Sequence, residues 1–351
     1  MKSKPMIQNT DKILIMKPSS LGDIVHTIPV VQAIRHCYPG AYISWFVQKD
    51  FEPLVRQMES VDSTIPFHRH GFSTNPLLFL GKQVGTVKSL RSCRFDWVLD
   101  FQGLFRSGLF TFLSGAPKRF GFSWNNEPNS FFYNIHGRIP KKDHAVNRNI
   151  KLLDQLGVPV CSRDLEASFK ARDLSADISI SGNSPALGVC PGGRWESKRW
   201  PVQNYALLVK HITGRLGGKV VLLGSRVEEK IGSFIAKECR RGIINLMGKT
   251  SLADLPHILK QLDLVVANDT GSMHLATAVG TKVLALFGPT DPVRTGPYGE
   301  KHKVLTAGIA CQPCFKKICP TNGECLKGIS VDEVFYEVTK MLNETTDCKN
   351  R

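Results

Sequence analysis

The sequence predicts two α/β domains, each built on a parallel β-sheet with helices on both faces. Short runs of β-branched residues and leucine alternate with helical patterns in both halves of the chain, which is typical of βαβ units. The length of 351 residues corresponds to about two domains. A stretch rich in Ser, Asp, Gly and Pro at 171–185 separates the halves. We therefore predict an N-terminal domain over 1–175, a second domain over 176–330, and a terminal helical segment over 331–351 that can pack back on the first domain.

The alternation is clearest in the second half of the chain. Strands are predicted at Ala186–Cys190, Lys219–Gly224, Ile243–Gly248, Leu264–Asn268 and Lys282–Phe287. Helices are predicted at Val202–Arg215, Val227–Arg240, Ser251–Leu262 and Ser272–Val279. In the third of these helices, Ser251 and Asp254 have the spacing of a capping box, and leucines recur on one face. That face should pack on the sheet.

The first half repeats the pattern with fewer recognisable elements. Strands are predicted at Lys12–Lys17, Ala41–Val47 and Trp97–Phe101, and helices at Leu54–Met58 and Val84–Cys93. Ligands of open α/β sheets bind at the carboxyl ends of the strands. Two doubly wound, Rossmann-like domains that face each other would form a central cleft, so candidate functional residues are expected at strand ends.

The charge balance indicates an anionic partner. Lys and Arg number 46 against 30 Asp and Glu, a net charge of +16, which favours phosphates or anionic lipid headgroups as ligands. Residues 80–151 hold 12 Lys and Arg against 4 Asp and Glu, mixed with many aromatic residues. Such a mixture can meet phosphorylated lipid or nucleic acid, although most of the rings should lie in the core. A basic nucleic-acid-binding protein is therefore an alternative from a different class.

The amino terminus carries no apolar signal segment, and no uncharged apolar run approaches the roughly 20 residues of a membrane span. We therefore expect a cytoplasmic protein, soluble or resting on a membrane surface. In that compartment its ten cysteines would be reduced thiols or metal ligands.

The first predicted strand ends in KPSSLGD, which places Asp23 close after Lys17 and Ser20. A carboxylate at a strand end can act as a general base on an alcohol. Its alternative role is to cap the following helix. No D-x-D pattern occurs in the chain, which disfavours a paired-aspartate metal site for a diphosphate and leaves cations and a helix terminus to neutralise a leaving group.

Two strand ends in the second half are candidate phosphate sites. The loop at 191–201 combines Gly192 and Gly193 with cations such as Lys198, an arrangement suited to an anion cradle or to an ordinary basic surface loop. No Walker A or G-x-G-x-x-G pattern is present. At 269–274, a helix begins whose free amides could hold a phosphate. Asp269 could orient a sugar hydroxyl there and His274 could donate to a diphosphate oxygen, or the same residues could serve only capping and packing.

Four cysteines lie within fifteen residues, with C-x2-C-x4-C-x5-C spacing, at Cys311, Cys314, Cys319 and Cys325. This spacing can bind structural zinc through four thiolates. Reduced thiols, or a disulfide under oxidation, are the alternatives. A zinc-dependent interaction module is accordingly a third class of function, whereas a zinc ion in an enzyme would only stiffen this loop.

Several ordered segments together resemble glycosyltransferase family 9, the lipopolysaccharide heptosyltransferases. The matching segments are KPSSLGDIVHTIP at 17–29, LDFQGLFRSG at 99–108, NEPNSFFYN at 126–134, HAVNR at 144–148, PGGRWESKRWP at 191–201 and NDTGSMHLATAVGTKVLALFGPTDP at 268–292. They follow the family's order through most of the chain. The SSLGD, EP…FYN and HAV-x-R segments are most similar to heptosyltransferase I.

The resemblance implies a GT-B fold and an enzyme that transfers L-glycero-D-manno-heptose from ADP-heptose to a Kdo sugar of the lipopolysaccharide inner core. The family reaction inverts the anomeric centre and needs no metal or other cofactor. It takes place at the cytoplasmic face of the inner membrane, on an anionic Kdo-lipid A acceptor and without nucleic acid. The resemblance leaves open heptosyltransferase II or another nucleotide-sugar transferase of the family.

The resemblance also assigns residue roles. Asp23 is implied as the general base, and Lys198 as the cation that stabilises the departing ADP. The implied donor-binding residues are Gly192, Gly193, Arg194, Lys198, Glu228, Thr250, Asp269, Thr270, Gly271 and His274. The implied acceptor-binding residues are Lys17, Ser20, Arg69, Arg106, Arg119, His144 and Arg148.

Overall fold

The chain divides into two compact units, Met1–Ala171 and Arg172–Arg351. A computed structural model describes residues 6–68, 76–123, 128–140, 142–174, 180, 182, 184–239 and 241–349, without the side chains of 76–80, 128 and 345–349. Each unit carries one six-stranded sheet whose strand pairs are all parallel. The predicted fold class, two doubly wound α/β domains, is confirmed.

The sheet of the first unit has the order β3-β2-β1-β4-β5-β6. Its strands are β1 (Lys12–Met16), β2 (Tyr42–Gln48), β3 (Ser63–Phe67), β4 (Trp97–Asp100), β5 (Lys118–Phe122) and β6 (Ile135–Gly137). The helices are α1 (Leu21–Val25), α2 (Ile28–Cys37), α3 (Glu52–Val55), α4 (Pro76–Ser92), α5 (Phe105–Leu113) and α6 (Ala145–Asp154). The strand order reverses between β1 and β4, which is where ligands of doubly wound sheets bind.

The second unit repeats this topology, with the order β12-β11-β10-β7-β8-β9. Its strands are β7 (Ala186–Cys190), β8 (Lys219–Leu222), β9 (Ile243–Asn245), β10 (Leu264–Asn268), β11 (Lys282–Leu286) and β12 (Lys303–Leu305). Its helices are α7 (Val202–Arg215), α8 (Glu229–Glu238), α9 (Leu255–Lys260), α10 (Gly271–Ala278), α11 (Pro292–Thr295), α12 (Glu324–Lys327) and α13 (Val331–Lys349). Here the order reverses between β7 and β10, so their carboxyl ends mark the corresponding ligand position.

The terminal helix α13 belongs to the core of the second unit. It packs on α7 and contacts β10 and β11, and Val334 and Val338 are fully buried in the same cluster as Trp200. The indole of Trp200 donates to the carbonyl of Ile329, just before the helix, at 2.9 Å. The expected packing of this segment on the first domain stays a prediction.

One predicted helix is shorter than its pattern. The helix expected at Ser251–Leu262 begins only at Leu255, with Pro256 in its first turn, a position that proline favours. The Ser251 amide and hydroxyl donate to Asp254 Oδ2 at 2.9 and 2.6 Å and close the turn that precedes it. Among the residues described, no helix combines the length and apolar character needed to cross a membrane.

Candidate active site

In the first unit, Asp23 lies in the first turn of α1, which follows β1. Its Oδ2 atom accepts hydrogen bonds from the amide and the hydroxyl of Ser20, at 2.9 and 2.8 Å, so the capping role that the sequence offered is present. Its other oxygen, Oδ1, lies 4.0 Å from Lys17 Nζ. Since 42% of the Asp23 side chain is exposed, capping leaves the carboxylate accessible to a ligand.

Lys17 is a buried cation held at the end of β1. Its Nζ atom donates to the carbonyl of Phe101 at 2.8 Å, and its own carbonyl accepts a bond from the Trp45 indole at 3.0 Å. Burial lowers the pKa of Lys17, and the carboxylates of Asp23 and Asp100 partly offset that effect. The ammonium is therefore fixed in place beside the carboxylate of Asp23.

Asp100, which the sequence analysis did not select, organises the loop that holds Lys17. This carboxylate is fully buried at the end of β4. Oδ1 accepts bonds from the amides of Gln102 and Gly103, at 2.8 and 3.0 Å, and Oδ2 accepts one from the Tyr133 hydroxyl at 2.7 Å. Burial raises the pKa of Asp100, against the opposing effect of these hydrogen bonds. Its position at a strand end, inside the LDFQG segment, was the available signal.

Lys17 and Asp23 line a pocket of about 180 Å³ at the ends of β1 and β4. The wall is formed by Lys17, Asp23, His26, Phe101, Gln102, Leu104, Phe122, Ala145, Arg148 and Asn149. Arg148 and Asn149 come from α6, and Asn149 Nδ2 donates to the carbonyl of His26 at 2.9 Å. The pocket thus combines one accessible carboxylate with two cations, a lining suited to an anionic molecule that carries a hydroxyl group.

The other predicted acceptor residues of the first unit do not line this pocket. His144 is the N-cap of α6, where its Nδ1 accepts from the amide of Val146 at 3.2 Å. Arg106 is exposed on α5. The Arg119 guanidinium donates to the carbonyls of Phe132 and Ala116, at 2.9 and 2.7 Å. Ser20 reaches the site only through Asp23, and Arg69 lies outside the described residues.

In the second unit, Asn268 ties the two strand ends together. It is fully buried at the end of β10, and its Nδ2 donates to the carbonyls of Pro191 and Gly192, both at 2.9 Å. Its Oδ1 accepts from the amide of Trp200 at 3.1 Å and from the Tyr205 hydroxyl at 2.9 Å. This one amide therefore fixes both ends of the glycine-containing loop at 191–200, a role that the sequence analysis did not recognise.

Glu228 closes that loop from the other side. Its Oε1 accepts from the amide of Gly193 at 3.0 Å, and its Oε2 accepts from the amide and hydroxyl of Ser225 at 2.8 and 2.7 Å. A Cβ atom at Gly192 would lie 1.8 Å from Glu228 Oε1. An alanine at 192 would therefore displace the Glu228 carboxylate from its bond with the Gly193 amide.

Lys198 and Asp269 form a largely buried ion pair at this unit's candidate site, with side chains 16% and 7% exposed. Lys198 Nζ lies 2.6 Å from Asp269 Oδ2, which also accepts from the Thr290 hydroxyl at 2.7 Å. His274 Nε2 lies 3.7 Å from the other oxygen. Burial alone would raise the pKa of Asp269, but the neighbouring His274 side chain and the charge of Lys198 hold that pKa well below its usual value. Asp269 is thus an anion that orients the Lys198 ammonium.

The remaining predicted donor-binding residues lie at the start of α10, on the 191–200 loop and on the loop before α9. Thr270 is the N-cap of α10, and its hydroxyl accepts from the amide of Met273 at 3.5 Å, so Gly271 opens the helix next to Asp269. Lys198 Nζ also lies 4.7 Å from the centroid of the Trp195 ring. Arg194 is exposed, and Thr250 is half-buried on the loop between β9 and α9.

The cysteine loop supports the segment that carries Lys198. The Ser197 hydroxyl donates to the carbonyl of Lys316 at 2.8 Å, and the amide of Cys314 donates to the carbonyl of Pro289 at 3.1 Å. Cys311, Cys314, Cys319 and Cys325 form no disulfide. Within the described ranges, no group of three or more His, Cys, Asp or Glu side chains is arranged to hold a metal ion. The four thiols are not assembled as a zinc site in this structure, and no step proposed below depends on one.

Comparisons with known proteins agree on one family. The sequence model of glycosyltransferase family 9 (heptosyltransferase) matches residues 85–324. Lipopolysaccharide heptosyltransferase 2 of Salmonella typhimurium is 31% identical over 84% of this chain and 87% of the relative. Lipopolysaccharide heptosyltransferase 1 of Pseudomonas aeruginosa is 29% identical over 88% of this chain and 87% of the relative. The two types thus match about equally well.

Solved structures show the same architecture. The structure of ADP-heptose lipopolysaccharide heptosyltransferase II of Escherichia coli matches with a TM-score of 0.75 and 26% identity, over 95% of this chain and 99% of that one. Heptosyltransferase WaaC of Escherichia coli with ADP matches with a TM-score of 0.78 and 24% identity, over 94% of this chain and 99% of that one. The chain belongs to glycosyltransferase family 9, the heptosyltransferases.

Proposed function

We propose that this enzyme transfers L-glycero-D-manno-heptose from ADP-heptose to Kdo of the lipopolysaccharide inner core, with inversion and without a catalytic metal. The observation that carries the proposal is the pocket in which the accessible carboxylate of Asp23 lies beside the cations Lys17 and Arg148. A Kdo acceptor has both features that this lining suits, a carboxylate and attacking hydroxyl groups.

On the acceptor side, Asp23 acts as the general base. Ser20 holds one carboxylate oxygen through two hydrogen bonds, which fixes the orientation of the group. The acceptor hydroxyl transfers its proton to Asp23 as its oxygen attacks the anomeric carbon of the donor. Lys17 and Arg148 bind the acceptor carboxylate, so that the hydroxyl lies within reach of the base.

On the donor side, Lys198 neutralises the departing ADP diphosphate together with the amides at the start of α10 and the 192–193 backbone. The pairing with Asp269 keeps the ammonium directed at that helix start. These groups are already in place when negative charge develops on the leaving group, and preorganised groups of this kind give the most effective electrostatic stabilisation. A single in-line displacement with one base and no enzyme nucleophile inverts the anomeric centre.

We further propose the heptosyltransferase I type, in which the first heptose is added to Kdo. The support is the similarity of the SSLGD and HAV-x-R segments, which contribute Asp23 and Arg148 to the pocket. The acceptor is lipid-linked, so we place the enzyme on the cytoplasmic face of the inner membrane as a peripheral protein.

The test is incubation of the purified enzyme with ADP-heptose and Kdo₂-lipid A in the presence of a chelator, with the product mass as readout. A product heavier by one heptose, formed under chelator, supports the substrate pair and metal independence together. Parallel reactions with an acceptor that already carries one heptose separate the two types, because type I should act on the unheptosylated acceptor. The proposal fails if neither acceptor gains mass, or if ADP-heptose is consumed only when a divalent cation is supplied.

A further inference from the structure

The helix α5 carries an exposed apolar surface outside its core contact. One side of the helix is buried, where Phe110 packs against Phe46 and Phe67 with ring centroids 5.1 and 5.3 Å apart. On another side, Phe105, Leu109 and Phe112 follow helical spacing, and Phe105 and Phe112 are 50% and 51% exposed. The helix therefore shows apolar side chains to the core and to the solvent.

A short 3-10 turn at Pro128–Phe132 extends this surface. The ring of Phe132 lies 5.2 Å from that of Phe105 and 6.2 Å from that of Phe112. Its neighbour Phe131 is 85% exposed. We call the side chains of Leu104, Phe105, Leu109, Phe112 and Phe131 the α5 face. Exposed aromatic side chains that lie close together, as Phe105 and Phe112 do around the Phe132 ring, mark an interaction surface.

The α5 face adjoins the acceptor pocket directly. Leu104, which is 47% exposed, belongs to the face and also lines the pocket that holds Lys17 and Asp23. A molecule with a sugar in the pocket and an apolar portion attached to it would therefore meet the α5 face at the pocket rim.

The charge around the α5 face is complementary to an anionic partner. Two arginines, Arg106 and Arg119, lie beside the phenylalanines of this face. Exposed Arg106 neighbours Phe105 on the helix, and the Arg119 guanidinium lies 5.6 Å from the Phe112 ring. A second copy of the chain, related by a two-fold axis, would bring two such basic surfaces together, which disfavours self-association through this face.

From these observations we propose that the α5 face docks on an anionic phospholipid bilayer, inserting its phenylalanines at the headgroup level and delivering the pocket to a membrane-embedded acceptor. The docking itself follows from the surface, whereas the delivery of the pocket rests on the proposed function. Aromatic side chains flanked by cations bind such membranes by apolar burial together with attraction to anionic headgroups.

The test measures vesicle binding by the full-length protein in a sedimentation assay. The vesicles are phosphatidylcholine alone, or phosphatidylcholine with about a third phosphatidylglycerol. The variant Phe105→Ser/Phe112→Ser/Phe131→Ser should partition at least about tenfold more weakly into the anionic vesicles. The single variant Phe131→Ser, whose ring is almost fully exposed, should show part of the loss with an unchanged melting temperature. Val84→Ser and Tyr42→Ser remove exposed apolar side chains elsewhere in the same unit and serve as matched controls.

The outcomes separate the two proposals. Weaker vesicle binding of both face variants, with control variants like the wild type and unchanged transfer to a lipid-free Kdo acceptor, supports the docking, and slower transfer by the same variants to Kdo₂-lipid A in vesicles supports the delivery. Vesicle binding by the wild type through this face, without heptose transfer to any acceptor, supports the docking and contradicts the proposed function. Equal vesicle binding by all variants overturns the docking. A concentration-dependent dimer that only the face variants lose also overturns it, because the face would then join two copies of the chain.

Discussion

Asp23 and Ser20 are joined by two hydrogen bonds to one carboxylate oxygen, at 2.9 Å from the amide and 2.8 Å from the hydroxyl of Ser20. The sequence offered capping and general-base catalysis as alternatives for Asp23. The geometry makes them compatible, because the cap engages Oδ2 while Oδ1 lies 4.0 Å from Lys17 Nζ at the pocket. A residue that caps a helix can in this way be held in position as a base.

The first prediction separates these two roles with a matched pair of variants. Asp254 accepts the same two bonds from Ser251, at 2.9 and 2.6 Å, away from the pocket. The amide oxygen of Asn can still accept the bonds from serine, so Asp23→Asn and Asp254→Asn should each change the free energy of unfolding by less than about 1 kcal/mol, although Asp254→Asn also loses an ion pair with Arg172. Only Asp23→Asn should slow heptose transfer, by roughly 10²–10⁴-fold, with unchanged affinity for ADP-heptose by calorimetry. Unaltered turnover in Asp23→Asn would reject the base.

The second prediction concerns the cation on the donor side. Lys198→Met should weaken ADP-heptose binding and slow transfer together, since its charge acts on the bound and the departing diphosphate alike. Lys317 is a suitable control, because its ammonium also lies near the Trp195 ring, at 5.9 Å, without pairing with Asp269. Steady-state kinetics with Lys317→Met should resemble the wild type. If Lys198→Met changed only the KM of the acceptor, the assignment of this loop to the donor would be wrong.

The third prediction concerns Asp100 as a positioning residue. Asp100→Asn should raise the KM for the acceptor, because the loop whose Phe101 carbonyl holds Lys17 loses its anchor. Tyr133→Phe removes one of the bonds to Asp100 and should show a milder form of the same effect, with a stability loss of about 1–3 kcal/mol for an unsatisfied buried group.

The pH dependence of stability checks the environment of Asp100. Its pKa is raised by burial, so the folded state binds this proton more tightly than the unfolded state. The stability that protonated Asp100 contributes is fully present below the usual aspartate pKa of about 3.8. It is lost as the pH rises through the pKa of Asp100 in the folded state. The free energy of unfolding of the wild type in denaturant, measured relative to that of Asp100→Asn, should therefore fall as the pH rises from 3. Parallel pH profiles for the two proteins would contradict the raised pKa.

The fourth prediction compares adjacent glycines of the donor loop. A Cβ at Gly192 would lie 1.8 Å from Glu228 Oε1, whereas the nearest atom to a Cβ at Gly193 is Arg199 Cγ, at 3.4 Å. Gly192→Ala should cost about 1–3 kcal/mol of stability through overpacking and weaken ADP binding, and Gly193→Ala should be milder in both. Adding Glu228→Ala to Gly192→Ala should restore part of the stability. If the two alanine variants had equal stability and equal affinity for ADP, the close approach of Glu228 would not constrain the loop.

The fifth prediction concerns the cysteine loop. Cys311→Ser/Cys314→Ser should lower the melting temperature, because the loop braces the segment of Ser197 and Lys198, while the folded variant keeps its transfer rate under chelator. Metal analysis of the purified wild type tests the zinc prediction separately. Abolished transfer in a variant that is still fully folded would give the cysteines a direct functional role.

The sequence by itself determined the alternation of strands and helices in the second unit. The bounds of β7, β10 and α7 agree with the predicted ones, because a buried parallel strand and an amphipathic helix each have a local signature. The motif order was also enough to indicate the family. Short elements escaped recognition: β6 has only three residues, and β5 contains a glycine, Gly121, that a strand pattern disfavours.

Only the tertiary structure decided which polar groups act together. Asp100 and Lys17 are 83 positions apart, and Asn268 bonds to carbonyls of the 191–192 segment. Hydrogen bonds between strand ends depend on the sheet order, which places β4 beside β1 and β10 beside β7. Strand order is set by long-range packing and leaves no periodic trace in the chain. The residues proposed to contact substrate were therefore recognisable from local motifs, whereas the buried groups that hold them in place could be identified only once the fold was known.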